Sequence, residues 1–142
     1  MAVDFVFFDI GGTLGERNPA TGKLVPFPST KRLLESVRDD MGLKMGVITT
    51  LGPLTDAEGR ALLDDAGLGG FFEAAGFVSE HDVPGGAGKP KPDIYAHAAA
   101  AVGVPVERCL FVGENLIEVL GAMAAGMQAV LKPSPPGREL PS

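Results

Sequence analysis

Five polar side chains in this sequence have the chemistry to bind and transfer a phosphoryl group. They are Asp9, Thr49, Lys89, Glu114 and Glu118. A carboxylate such as that of Asp9 can attack phosphorus as a nucleophile. A hydroxyl and an ammonium group can hold the phosphoryl oxygens, and further carboxylates can hold Mg²⁺, which neutralises the charge. If the fold brings these groups together, they predict phosphoryl transfer.

Each of these residues also has a simpler explanation when it is considered alone. Aspartate followed by glycine is common in tight turns, and a threonine can end a strand. Lys89 can be a solvated loop charge. Glu114 and Glu118, four residues apart near the start of a helix, can simply favour the helix dipole. These residues form a site only if the fold brings them together. Otherwise they are four unrelated features.

The stretch that leads to Asp9 is an almost unbroken apolar run. Val3 to Leu14 reads Val-Asp-Phe-Val-Phe-Phe-Asp-Ile-Gly-Gly-Thr-Leu. Such a run predicts a strand that is buried on both faces. The strand therefore delivers the Asp9 carboxylate to a flexible turn that contains Gly11 and Gly12.

The rest of the chain alternates between helical and extended patterns. A hairpin is predicted at 15–27, helices near 30–38, 55–66, 93–102 and 116–125, and strands at 44–50, 76–79, 109–112 and 128–131. In the last helix Leu116, Val119, Leu120 and Met123 predict one packed face. The alternation predicts an α/β fold, a three-layer Rossmann-like parallel sheet with ligands at the carboxyl ends of its strands.

Length and composition limit the class of protein. The 142 residues suit one domain, predicted over 1–131, with a proline-rich tail over 132–142. A net charge of −6 argues against nucleic acid as a partner. The single cysteine, Cys109, lies in an apolar segment and is expected to fill space. The sequence contains neither a membrane-span pattern nor a signal-peptide pattern, so a cytoplasmic protein is expected.

Four motifs in order resemble those of the haloacid dehalogenase superfamily, chiefly its phosphatases. Asp9 to Leu14 resembles Asp-x-Asp-Gly-Thr-Leu, and the second motif is the strand that ends at Thr49. Residues 89–95, Lys-Pro-Lys-Pro-Asp-Ile-Tyr, resemble Lys-Pro-x-Pro-x-x-aromatic. Residues 113–118, Gly-Glu-Asn-Leu-Ile-Glu, resemble Gly-Asp followed by an acid four residues later.

The resemblance implies a role for each motif residue. Asp9 would be the nucleophile that forms an aspartyl-phosphate. The phosphoryl oxygens would be bound by Thr49 and Lys89, with Thr50 and Gly12 beside them. Mg²⁺ would be the cofactor, and its ligands would come from Asp9, the Gly11 carbonyl, Glu114 and Glu118.

Two departures from the family pattern affect the predicted chemistry. The family's second aspartate protonates the leaving group, and Gly11 occupies that position here. Glu16 and His81 are the nearest stand-ins, although both fit solvated loop residues better. In the fourth motif Glu114 replaces aspartate, and the longer side chain predicts weaker binding of Mg²⁺, which requires near-ideal octahedral geometry.

The intervals between the motifs leave no room for the family's cap domain. By resemblance, a capless member acts on a large substrate or closes its site by forming a homo-oligomer. The leading hypothesis is a Mg²⁺-dependent phosphohydrolase or phosphotransferase acting on a phosphorylated small molecule or macromolecule. The alternative, motivated by Gly11, is a catalytically degenerate member that binds a phosphorylated ligand or a protein. A dehalogenase ranks third, because the acids of the fourth motif suit a metal.

Overall fold

A five-stranded parallel sheet forms the centre of the molecule. The computed structural model describes residues 2–134. The strands, in chain order, are β1 (Phe5–Phe8), β2 (Gly15–Arg17), β3 (Leu24–Pro26), β4 (Lys44–Thr49), β5 (Phe72–Ser79), β6 (Cys109–Gly113) and β7 (Gln128–Leu131). The central sheet has the order β5-β4-β1-β6-β7, and β2 and β3 form a separate hairpin. The predicted α/β class and parallel sheet are confirmed.

Four α-helices cover the two faces of this sheet. They are α1 (Thr30–Glu35), α2 (Asp56–Asp65), α3 (Pro92–Val102) and α4 (Leu116–Ala124). A π-helical segment, Ser36–Asp40, extends α1, and short 3₁₀ turns lie at Gly69–Phe71, Glu80–Asp82 and Val106–Arg108. Helix α2 begins with the capping box between Thr55 and Glu58, in which each side chain accepts a hydrogen bond from the other residue's backbone N–H.

Strand β1 lies in the middle because every one of its four side chains is apolar and buried. It pairs with β4 on one side and with β6 on the other, with Phe8 in register with both Val47 and Val112. Successive side chains point to opposite faces, so Phe8 packs in the core on the side of α1 and α2 while Phe7 packs on the side of α3 and α4.

The β2–β3 hairpin confirms the prediction for 15–27 and lies next to the end of β1. Its strands pair antiparallel, with Gly15 opposite Pro26. Leu24 is buried in the core. The buried Thr30 hydroxyl donates a hydrogen bond to the Leu14 carbonyl at 2.6 Å, which ties the turn after Asp9 to the start of α1.

Two element boundaries differ from the sequence prediction. Strand β5 begins at Phe72 rather than near residue 76, and its pairing with β4 is irregular between Met45 and Val47. The first half of β5 is exposed, so its sequence lacks the apolar run that would have identified it. Helix α1 is α-helical only to Glu35 before the π-helical segment begins.

The predicted packed face of α4 was wrong in three of its four residues. Val119 is 4% exposed, whereas Leu116, Leu120 and Met123 are 56%, 52% and 54% exposed. Ala122 takes the second buried position. The helix is apolar on nearly every side, so the periodicity alone could not identify the face that contacts the sheet.

Within residues 2–134 no further domain interrupts the sheet, which agrees with the expected absence of a cap. Of the predicted tail, residues 132–134 are described and 135–142 lie outside the described residues. Ser134 donates its hydroxyl hydrogen to the Gly12 carbonyl at 2.9 Å, so the chain returns to the turn that follows β1. Among the described helices none is long and apolar enough to cross a membrane.

Candidate active site

Asp9 lies at the carboxyl end of β1, in the middle of the sheet edge. Its backbone N–H donates to the Val112 carbonyl at 3.0 Å, so pairing with β6 fixes the backbone at this position. The residue is only 9% exposed. A Cβ atom at Gly113 would lie 2.8 Å from the Phe111 ring, so the glycine at the end of β6 leaves room for that ring beneath the site.

Lys89 bridges two carboxylates at this edge. Its Nζ atom lies 2.6 Å from Asp9 Oδ1 and 2.8 Å from Glu118 Oε1, and its side chain is only 2% exposed. The Phe111 ring centre is 5.5 Å from Nζ. Two carboxylates beside one ammonium leave one negative charge in excess, which a further cation or a hydrogen-bond donor would offset.

Two threonines lie at the carboxyl end of β4, the strand next to β1. Thr49 is the last residue of β4, which neighbours β1, and it is 5% exposed. Thr50 is exposed, and its hydroxyl oxygen accepts a hydrogen bond from the Lys89 backbone N–H at 3.2 Å. Thr50 therefore links the lysine loop to the β4 end of the site.

The Glu114 side chain packs against Gly12, in the turn after β1. A Cβ atom at Gly12 would be 2.5 Å from the Glu114 Cγ atom, closer than real carbon atoms approach. Gly12 also has a φ of 76°, which favours glycine. Substituting any other residue at Gly12 would displace Glu114, so the second glycine of the motif holds this carboxylate in place.

The donors near Asp9 fit a Mg²⁺ ion in their chemistry. The Asp9 carboxylate, the Gly11 carbonyl and the Glu114 carboxylate are oxygen ligands, which Mg²⁺ prefers, and water completes its shell in most protein sites. Asp9 and Glu118 are both paired with Lys89, and the assignment of Asp9, Gly11, Glu114 and Glu118 as ligands stays a prediction. No cluster of three histidine, cysteine or acidic side chains suited to a metal occurs in the described part of the chain.

Gly11 has an open space where the family's acid would project. A Cβ atom built there meets no other atom within 4 Å, and Gly11 is exposed. Of the two stand-ins, His81 has its Nε2 atom 2.8 Å from the Leu54 carbonyl oxygen, in a hydrogen bond at the start of α2. Glu16 lies on β2 of the hairpin, in register with Val25.

Glu80 is a site residue that the sequence analysis missed. Its two carboxylate oxygens accept hydrogen bonds from the backbone N–H groups of Leu51 and Gly52, each at 2.8 Å. Burial raises the pKa of Glu80, but these two hydrogen bonds outweigh burial and lower it overall. The loop after Thr49 is thus fixed by a residue 29 positions away, for which the sequence carries no local signal.

Tyr95 supports the site from α3. Its hydroxyl donates to the Glu118 carbonyl at 2.7 Å, and its ring packs edge-on against Phe111. Burial raises the pKa of Tyr95, and the nearby charges of Glu118 and Asp9 add to the increase. The aromatic residue of the third motif therefore acts as a fixed hydrogen-bond donor that joins α3 to α4.

Three known proteins show what this chain is similar to. It is 37% identical over 105 residues to a phosphatase of Mycobacterium tuberculosis, covering 74% of this chain and 45% of that protein. It is 37% identical over 106 residues to a phosphoglycolate phosphatase of Caulobacter vibrioides, covering 75% of this chain and 41% of that protein. The chain thus spans less than half the length of both relatives.

The fold is also that of a solved L-2-haloacid dehalogenase from Xanthobacter autotrophicus, with a TM-score of 0.74. That match covers 91% of this chain and 77% of the dehalogenase at 19% identity, which shows the fold alone. The haloacid dehalogenase-like hydrolase model matches residues 10–126, most of the chain. With its parallel sheet and the Asp9, Lys89 and Glu114 edge, this chain belongs to the haloacid dehalogenase-like hydrolases.

Proposed function

We propose that this protein is a Mg²⁺-dependent phosphohydrolase or phosphotransferase with Asp9 as its nucleophile. The observation that carries the proposal is the ion pair of 2.6 Å between Lys89 Nζ and Asp9 Oδ1 at the carboxyl edge of the sheet. A buried lysine that contacts one oxygen of a carboxylate fixes the orientation of that carboxylate. Membership of the family and the two phosphatase relatives support the same reaction class.

In the proposed first step the Asp9 carboxylate attacks phosphorus. A bond forms between an Asp9 oxygen and phosphorus, and the bond from phosphorus to the leaving oxygen breaks with its electron pair going to that oxygen. In the second step water attacks the aspartyl-phosphate, releases phosphate and restores the carboxylate. With an acceptor alcohol instead of water, the same site is a phosphotransferase.

Lys89 and Thr49 are proposed to hold the phosphoryl oxygens. The Lys89 ammonium is a fixed positive charge in a poorly solvated position, where it stabilises charge more than it would in water. The Thr49 hydroxyl and the Thr50 backbone would supply neutral donors, whereas the Gly12 N–H already donates to the Gly15 carbonyl at 2.9 Å. Asp9, the Gly11 carbonyl and Glu114 would hold Mg²⁺, which supplies Lewis-acid charge neutralisation at the phosphoryl group.

The test is phosphate release from 4-nitrophenyl phosphate, with and without Mg²⁺. Nitrophenolate is a good leaving group, so its release does not require the acid that Gly11 cannot supply. Asp9→Asn should lower release by about 10³-fold or more, because the amide is not a nucleophile. Asp65→Asn, an exposed position at the end of α2, is the matched control and should keep the full rate.

Activity that survives Asp9→Asn would show that the nucleophile is another group. Phosphate release that survives removal of Mg²⁺ by a chelator would argue against the metal.

A second candidate is a degenerate family member that binds a phosphorylated ligand without turning it over. The specific observation in its favour is Gly11, which has no side chain to act as acid. It is supported if the wild type releases no phosphate but binds inorganic phosphate in calorimetry, and if Lys89→Gln abolishes that binding.

A further inference from the structure

A cavity of about 180 Å³ opens beside Gly11, between the hairpin and α2. It is lined by Ile10, Gly11, Arg17, Leu24, Thr49, Thr50, Leu51, Leu54 and Leu62. Thr49 and Thr50 belong to the proposed phosphoryl site, so the cavity continues directly from it. Five of the lining residues are leucine or isoleucine, and Arg17 is the charged one. Apolar walls with one convergent polar group are typical of small-ligand sites.

The turn after β1 contributes Gly11 to the wall of the cavity, where the family pattern has an acid. An aspartate there would project into space that holds no protein atom within 4 Å of its Cβ. Two nearby groups with the chemistry to donate a proton are held elsewhere: Glu80 accepts hydrogen bonds from Leu51 and Gly52, and the His81 ring binds the Leu54 carbonyl. Arg17 is the charged residue that lines the cavity, whereas Glu16, which precedes it on β2, is not among the lining residues.

Arg17 lines the cavity from β2 and is exposed to solvent. Its Nε–H donates to the Gly22 carbonyl at 3.1 Å, across the turn between β2 and β3, which fixes the side chain on the hairpin. Hydrogen bonds from Thr55 lower the pKa of Glu58, and the positive charge of Arg17 adds to that effect. The Glu58 carboxylate is itself bound to the Thr55 N–H, at 2.9 Å.

We propose that this cavity receives the leaving group of the substrate and that the group departs as an anion, stabilised by Arg17 instead of being protonated. The inference rests on the proposed Asp9 chemistry and names its substrate class. That class is the phosphate of an apolar acid, either an aryl phosphate or an acyl phosphate. The leaving phenolate or carboxylate lies with its apolar body against the leucines.

The chemistry of the step balances without an acid. The Asp9 oxygen–phosphorus bond forms as the bond from phosphorus to the leaving oxygen breaks, and the electron pair stays on that oxygen. A phenolate or a carboxylate can leave with the negative charge on its oxygen, whereas an alkoxide is too basic to leave without being protonated. Arg17 lowers the energy of the developing anion through a charge-assisted hydrogen bond. Alkyl phosphates are therefore poor substrates.

The first test compares kcat/KM for phenyl phosphates of graded leaving-group pKa, benzoyl phosphate and butyl phosphate. In the wild type kcat/KM should fall steeply as the leaving-group pKa rises. Arg17→Ala should lower kcat/KM for the aryl and acyl phosphates by about 10- to 100-fold. Lys23→Ala removes an exposed cation from the same hairpin and should leave kcat/KM unchanged for both the aryl and the acyl phosphates. Comparing kcat/KM for benzoyl phosphate with that for the phenyl phosphates distinguishes an acyl phosphate from an aryl phosphate as the substrate.

Gly11→Asp supplies the missing acid and is sterically allowed. It should raise kcat/KM for butyl phosphate by about 10²-fold or more while changing that for 4-nitrophenyl phosphate little. Equal wild-type kcat/KM for butyl and phenyl phosphates would overturn the proposal, as would an Arg17→Ala variant that behaves like Lys23→Ala.

A binding measurement separates this proposal from the Asp9 chemistry. Calorimetry with benzoate, a mimic of the departed group, should show binding to the wild type and to Asp9→Asn, and loss of binding in Arg17→Ala. Absence of benzoate binding by the wild type would overturn the leaving-group cavity even if phosphate release proceeds. Benzoate binding that requires Arg17, together with no phosphate release from any ester, would instead overturn the nucleophilic role of Asp9 and retain the cavity.

Discussion

Lys89 is the residue on which the charge balance of the site depends. It reaches Asp9 across 80 positions of sequence and is itself almost fully buried. Without it, Asp9 and Glu118 would be two poorly solvated carboxylates that share no cation. The same ion pairs orient the Asp9 carboxylate and join α4 to the carboxyl end of β1. A change at Lys89 is therefore expected to affect stability as well as the proposed chemistry.

Lys89→Gln should destabilise the fold by about 3 kcal/mol, because it leaves two buried carboxylates uncompensated. The free energy of unfolding in urea measures the loss. The double variant Lys89→Gln with Glu118→Gln removes one of the opposed charges and should recover part of it. If the double variant is less stable than the single variant, the repulsion between the two carboxylates is not the cause.

At the scale of elements, the loop between β4 and α2 is the part of the site with the least support of its own. It begins at Thr49 and Thr50 and contains Gly52 and Pro53. The Glu80 carboxylate binds two successive backbone N–H groups of this loop from the 3₁₀ turn that follows the neighbouring strand β5. Parallel pairing of Thr49 with Ser79 places the two elements side by side. Glu80 is therefore a positioning residue for the threonines.

Glu80→Gln keeps one acceptor oxygen and loses the other, so the loop should loosen. The expected result is a KM for 4-nitrophenyl phosphate raised about 3- to 10-fold with kcat changed less. Glu73→Gln, on the exposed part of the same strand, is the matched control.

The pH dependence of stability supplies the readout for the Glu80 carboxylate itself. Because the folded protein lowers the pKa of Glu80 from 4.5, its contribution to stability is present above that value and is lost as the pH falls through the lower, folded-state pKa. The stability difference between wild type and Glu80→Gln should shrink accordingly at acid pH. A difference that stays constant would exclude the carboxylate as its source.

At the scale of the whole molecule, one surface is far more apolar than the rest. Six of the eight exposed large apolar side chains among residues 2–134 are Leu116, Ile117, Leu120, Met123, Val130 and Leu131. They lie on α4 and on the edge strand β7, and Leu131 is in register with Gly113, just before α4 begins. Exposed apolar patches of this kind mark interaction surfaces. The homo-oligomer expected from sequence stays a prediction, and this surface is where a second copy would bind.

Leu120→Gln should weaken self-association while leaving the isolated fold within about 1 kcal/mol of wild type, because half of the Leu120 side chain is already in water. Sedimentation measures the association and urea unfolding the stability. Val119→Ala, one residue away but buried, should instead cost about 2 kcal/mol and leave association intact. A wild type that stays monomeric at the highest concentrations tested would contradict the prediction.

The sequence alone determined the elements and the order of the site residues, because local patterns encode them. The apolar run before Asp9 predicted a buried strand, the helical pattern near 55–66 predicted α2, and the four motifs predicted the residues of the sheet edge. The tertiary structure decided which groups touch. The Lys89 bridge, the Glu80 support and the Arg17 cavity join residues on different elements, and sheet order and register set such contacts. Packing likewise decided which side of α4 is exposed. Because this helix is apolar on nearly every side, its sequence does not show which side contacts the sheet.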